Sequence, residues 1–143
     1  MTSTHPNPAP STDWMLQNVV ALAGVRHAVV ASDDGLLKAC AGAISRDDAD
    51  RLAASVCGIL STARALAPFC GDDTNALRQC VQEFDQGMIF IAAAGENTLL
   101  AVATDALVDA ALVAHRMTDL SARLSAQLST GLRTAGPEGG VRP

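Results

Sequence analysis

Two consecutive stretches, "MIFIAAA" at 88–94 and "TLLAVAT" at 98–104, constrain the fold of this chain more than any other feature, because apolar residues run through both almost without a break. A strand with one face in water alternates apolar and polar residues, whereas a strand without alternation must have both faces covered. The intervening Gly95, Glu96 and Asn97 permit only a tight reversal. The pair therefore predicts two antiparallel strands of a sheet that has helices on both faces.

The other strands follow from similar reasoning. "VRHAVVAS" is apolar and β-branched, and "LLKACA" resumes after Ser32-Asp33-Asp34-Gly35, where glycine supplies the positive φ that a tight hairpin needs. "ALRQCVQEF" mixes Arg78, Gln79, Gln82 and Glu83 among Leu77, Val81 and Phe84, as an edge strand would, and joins the covered pair through "DQG".

Three helices complete the pattern. Ser11, Thr12 or Asp13 can cap a short helix "DWMLQNVVAL" that sets Trp14, Leu16, Val19 and Leu22 on an apolar face before Gly24 stops it. Ser45 caps a long one, with Asp47 and Asp48 in its first turn, where the helix dipole favours anions, and Pro68 as its stop. A closing helix from about Asp105 to Leu128 carries Ala106, Ala110, Val113, Met117, Leu120, Leu124 and Leu128 as one stripe. The order α-β-β-α-β-β-β-α predicts an α+β domain in the α/β class, a five-stranded antiparallel sheet sandwiched between helices.

At 143 residues there is room for one domain, expected over 13–129, with Pro-, Ser- and Gly-rich disordered tails at 1–12 and 130–143. Hydrophobic residues make up 49% of the chain but aromatics only 3%, so the core must be built from Ala, Val, Leu and Ile. The net charge of −5 and the scattered basic residues exclude the electrostatic footprint of a nucleic-acid binder. No apolar run approaches the roughly 20 residues of a spanning helix, and the first residues lack the charged and apolar regions of a signal peptide. The expected location is the cytoplasm, with any membrane recruitment through a partner.

Groups able to do chemistry are few. Cys40, Cys57, Cys70 and Cys80 form no C-x-x-C pair and sit in or beside apolar segments, as reduced packing thiols do. His27 on a strand and His115 on the last helix suit partly exposed histidines better than a ligand or base, although spacing alone leaves a Cys–His pair open. The aspartate pairs 33–34, 47–48 and 72–73 fall at turns or helix starts, where Asp bonds to backbone. No glycine-rich phosphate cradle occurs. The expectation is a protein without catalytic residues, metal or cofactor.

The central helix offers two faces. At about 100° per residue, Leu52, Val56, Ile59, Ala63 and Leu66 fall on the side that would pack on the sheet. Ala54, Gly58, Ser61 and Ala65 fall opposite, where a helix facing only water would usually place Lys, Glu or Gln, and Arg51 lies at their flank. Small residues allow another backbone to approach closely; the alanine-rich composition would also supply them without any partner. With Arg78 and Gln82 on the polar edge strand, these residues form the expected dimer or partner interface, which two identical subunits could share about a twofold axis.

The combination of "VRHAVVASDDGLL", "DDADRLAA", "LRQCVQEFDQGMIFIAAAG" and "LLAVAT", spread from Trp14 to Leu128, resembles the roadblock/dynein light chain family in its actinobacterial form. The resemblance implies a roadblock/profilin-like fold and a homodimer in which edge strands join two sheets and central helices meet. It implies a small Ras-like GTPase as partner, in operons that also encode a sensor-kinase-like protein and a further small regulator. Related bacterial members act as GTPase-activating proteins that reshape the GTPase's own site without an arginine finger. The expected function is thus a non-catalytic homodimeric adaptor or regulator of a small GTPase in a signalling complex. The alternative, a small-molecule-sensing profilin- or PAS-like module, has few aromatics with which to line a pocket.

Overall fold

The protein is described by a computed structural model over residues 10–135, with the side chains of Thr12 and of 14–127. Its elements are α1 (Pro10–Val20), β1 (Val25–Ser32), β2 (Leu37–Gly42), α2 (Arg46–Arg64), β3 (Gln79–Phe84), β4 (Gly87–Ala93), β5 (Thr98–Asp105) and α3 (Ala110–Ala135). Most of both expected tails, 1–9 and 136–143, lies outside the described residues, as does the side chain of Leu128. The five strands form one sheet in the order β2-β1-β5-β4-β3, antiparallel throughout. β5 is fully enclosed by its neighbours, and every residue from Thr98 to Thr104 is buried, as its unbroken apolar run requires.

Strand alternation divides the core into two layers. Ala28 and Val30 of β1, Phe90 and Ala92 of β4, and Leu100 and Val102 of β5 meet Leu16 and Val19 of α1 and Val113, Met117, Leu120 and Leu124 of α3. On the other face, Val29, Ala31, Ile91, Leu99 and Ala101 meet Ala49, Ala53, Val56 and Leu60 of α2. The first hairpin turns at Gly35, whose φ of +88° is open to glycine and strained for other residues. At Gly87 the requirement is space: a Cβ there would lie 2.0 Å from the carbonyl oxygen of Thr104 on the adjoining strand.

Several boundaries and faces differ from the sequence expectation. α2 ends at Arg64, and a 3₁₀ turn at Ala67–Cys70 carries Pro68 in its first turn. A second 3₁₀ turn, Thr74–Ala76, takes residues expected to open β3 or precede it, because the Asp73 side chain accepts from the Asn75 N–H at 2.8 Å. α3 begins at Ala110, since the carboxylate of Asp105 accepts from Leu107 N–H at 2.9 Å and that of Asp109 accepts from Leu112 N–H at 3.1 Å. Ala106 is thereby left exposed in the connecting loop. Trp14 is 57% exposed; the core face of α1 is Met15, Leu16 and Val19, and Trp14 stands on its flank.

The orientation of α2 also needs correction. Its sheet-facing line is Ala49, Ala53, Val56 and Leu60, while Leu52, Ile59 and Ala63 are half-buried and Leu66 is 59% exposed. Ala49 and Ala53 rest on a sheet face built in part from Ala31 and Ala101. Small residues on both sides bring helix and sheet together, and the bulkier side chains shift about a quarter-turn to the side.

Candidate interaction surface

The flanks of α2 are fixed by what each touches. Ser45 caps the helix, accepting from Asp48 N–H at 3.1 Å. Asp48 pairs with Arg51, and this hydrogen bond, followed by the guanidinium charge, holds the Asp48 carboxyl below its usual range. On one flank the Cys57 thiol donates to the carbonyl oxygen of Asp33 at 2.6 Å, and Arg64 lies 3.8 Å from the Asp33 carboxylate, so the helix is tied to the β1–β2 turn. On the other flank Ala63 and Leu66 line a groove with Leu77, Arg78 and Cys80, beside the start of β3. Leu52 and Ile59 share that flank with Ala63 by helical spacing.

Ala54, Gly58, Ser61 and Ala65 are all exposed on the outer surface of α2, with Arg51 beside them. A Cβ added at Gly58 would meet nothing within 4 Å. Their direction is roughly opposite the sheet. Arg78 and Gln82 are placed elsewhere, at the β3 edge beyond the groove flank of the helix. The residues expected to form one interface therefore occupy two neighbouring surfaces.

The two sheet edges differ in a way the sequence does not announce. At β2, Val30 pairs with Ala39 and Ala31 with Leu37, leaving Lys38 as an extra, unpaired residue. A bulge and a lysine both discourage addition of a further strand. β3 has neither: its pairing with β4 is regular from Gln79 to Phe84, with Val81 46% and Phe84 61% exposed. Gln82 is half-buried, and its Oε1 is shielded from water without a hydrogen-bond partner among the described residues.

Beside the N-terminal end of this strand lies a groove of about 320 Å³ whose lining includes Ala63, Leu66, Cys70, Leu77, Arg78 and Cys80. Phe69, on the adjoining 3₁₀ turn, is 87% exposed. Cys70 is exposed, unlike the packing thiol expected from its sequence context, whereas Cys40, Cys57 and Cys80 are half-buried. Burial raises the Cys80 thiol pKa. An exposed aromatic and an apolar groove outside the core were missed in the sequence; nothing in the local pattern separates Phe84 or Leu66 from core residues.

The titratable groups are dispersed. His27 is half-buried on the α2 side of β1, and burial, then the neighbouring Arg26 charge, lowers its pKa against an opposing pull from Asp48. His115 is exposed on α3. Among the described residues no three His, Cys, Asp or Glu side chains are grouped to hold a metal ion, and no helix is long and apolar enough to cross a membrane.

The sequence profile of the Roadblock/LC7 domain matches residues 12–104. The crystal structure of a Roadblock/LC7 domain from Streptomyces avermitilis is 32% identical, superposes with a TM-score of 0.75, and is matched over 82% of this chain and 97% of its own. Myxococcus xanthus MglB is 18% identical with a TM-score of 0.77, over 87% of this chain and 99% of its own. The gliding protein MglB from Thermus thermophilus is 22% identical with a TM-score of 0.74, over 85% and 90%. No curated protein sequence matches.

Proposed function

Because the chain belongs to the Roadblock/LC7 domain family, we propose that it is a non-catalytic homodimeric adaptor that regulates a small Ras-like GTPase within a bacterial signalling complex. The observation that carries the dimer is the asymmetry of the sheet edges: Lys38 and its bulge blunt β2, while β3 is regular and open. Antiparallel pairing of two β3 strands about a twofold axis gives one ten-stranded sheet, with β2 at both outer ends. That axis stands perpendicular to the sheet, so both α2 helices lie on the same side of it.

The outer faces of the two α2 helices, Ala54, Gly58, Ser61 and Ala65 with Arg51, then form a single platform of small side chains. A GTPase surface can approach such a platform closely, and the platform exists in duplicate only in the dimer. The edge residues Arg78 and Gln82 join the two copies. The same assembly would receive a sensor-kinase-like protein as a further partner, and a membrane-associated partner would bring an otherwise cytoplasmic complex to the bilayer.

Light scattering on the full chain should give the mass of a dimer. A pull-down with the GTPase of the same operon, loaded in turn with GDP and a non-hydrolysable GTP analogue, should retain the GTPase in at least one state. Binding to neither state would overturn the regulatory reading, and a monomeric mass at all concentrations would overturn the dimer.

A further inference from the structure

The β3 edge carries an exposed aromatic at one end and an apolar groove at the other. Cys80 packs with the α2-side core and pairs with Ile91, a member of that core, so alternation along β3 sends Cys80, Gln82 and Phe84 to the α2 side. Phe84, at the C-terminal end, is 61% exposed. The groove beside the N-terminal end opens next to the same strand, and its lining includes Leu66, Cys70, Ala76, Leu77, Arg78 and Cys80.

We infer that this groove receives Phe84 of a second copy of the chain, so that the two subunits of the dimer exchange one aromatic side chain each across the β3–β3 seam. The inference rests on the homodimer proposed above and names what locks it. A twofold axis relating antiparallel strands exchanges their ends, bringing the C-terminal end of each β3 to the N-terminal end of the other.

The registers centred near the middle of β3 share one outcome. Residues directly opposite across an antiparallel seam point to the same face, so an even-numbered residue of β3 must face an even-numbered residue of the copy. The axis then passes through a residue rather than between two. Centred on Cys80, Val81 or Gln82, it sets Phe84 opposite the copy's Ala76, Arg78 or Cys80 respectively. All three of these line the groove.

The register centred on Gln82 has one further merit. It sets each Gln82 against its own copy, where a turn of the side-chain amide lets one donate to the other's Oε1, the oxygen without a partner among the described residues. The same register puts Phe84 against Cys80, in the apolar part of the groove.

The test uses the full chain and two readouts. Sedimentation compares the dimer dissociation constant of the wild type with those of Phe84→Asp and Leu66→Asp. Both positions are exposed, so both variants should keep the fold, as circular dichroism will report. Because symmetry places two aromatic rings in two grooves, each variant should weaken the dimer on the order of 100-fold, about tenfold for each ring that no longer finds an apolar groove.

The second readout exploits the single tryptophan, Trp14. In Trp14→Phe combined with Phe84→Trp, the introduced indole should emit at shorter wavelength at concentrations favouring the dimer and shift to the red on dilution. A wild type that is monomeric throughout overturns the homodimer itself. A stable wild-type dimer whose dissociation constant changes less than threefold in Phe84→Asp, or whose introduced indole stays in water, overturns the exchange while leaving the dimer intact.

Discussion

Gly58 allows fold stability and partner binding to be separated by sign. It lies in the middle of α2, and a Cβ placed on it has open space to at least 4 Å, so replacement by alanine meets no clash within the chain. Glycine in an exposed helix interior is about 0.8–1.0 kcal/mol less favourable than alanine, and arginine ranks near alanine. Gly58→Ala should therefore raise stability by close to 1 kcal/mol, a rise in Tm of about 3–4 °C for a domain of this size. Gly58→Arg should leave the isolated chain at least as stable as the wild type.

If α2 presents Gly58 to a closely approaching surface, binding moves the other way. The long charged side chain of Gly58→Arg should weaken GTPase capture at least tenfold, about 1.4 kcal/mol, although the chain remains folded. Urea denaturation at low protein concentration measures the first quantity, where coupling to dimerisation is least. Isothermal titration with the GTPase measures the second. Unchanged GTPase affinity in a folded Gly58→Arg would refute the claim that the outer face of α2 is the platform.

Three further outcomes follow from packing and charge. Gly87→Ala puts a methyl group 2.0 Å from the Thr104 carbonyl oxygen, which forces β4 from β5; a loss of about 3 kcal/mol is expected by urea denaturation. Leu60→Ala removes a fully buried side chain between α2 and the sheet and should cost about 2–5 kcal/mol, with thermal unfolding as the measure. The folded-state pKa of His27 is lowered from 6.5, chiefly by burial, so the unfolded chain binds its proton more readily. Its contribution should therefore be lost as pH falls from above 6.5 through the folded pKa, and stay level below that. Urea midpoints at pH 8 and pH 5 should differ more in the wild type than in His27→Gln.

Periodicity fixed much of the architecture in advance. The unbroken apolar runs at 88–94 and 98–104 required cover on both faces, and β4 and β5 have it. The stripe Val113, Met117, Leu120 and Leu124 is buried against the sheet, because helical spacing determines which residues share a face whatever that face meets. Local hydrogen bonding was less legible: Asp73, Asp105 and Asp109 bind nearby backbone N–H groups and move element boundaries by several residues.

The sequence by itself determined the number and kind of elements, the two-sided cover of the sheet and the small outer face of α2, since these depend on the spacing of side chains along one chain. Tertiary structure decided the rotation of α2, which followed from alanines meeting alanines, and with it the separation of Ala54, Gly58, Ser61 and Ala65 from Arg78 and Gln82. It also decided which edge is guarded, because Lys38 becomes a bulge only when paired with β1. Those outcomes depend on distances between segments far apart in the chain, and no local pattern encodes such distances.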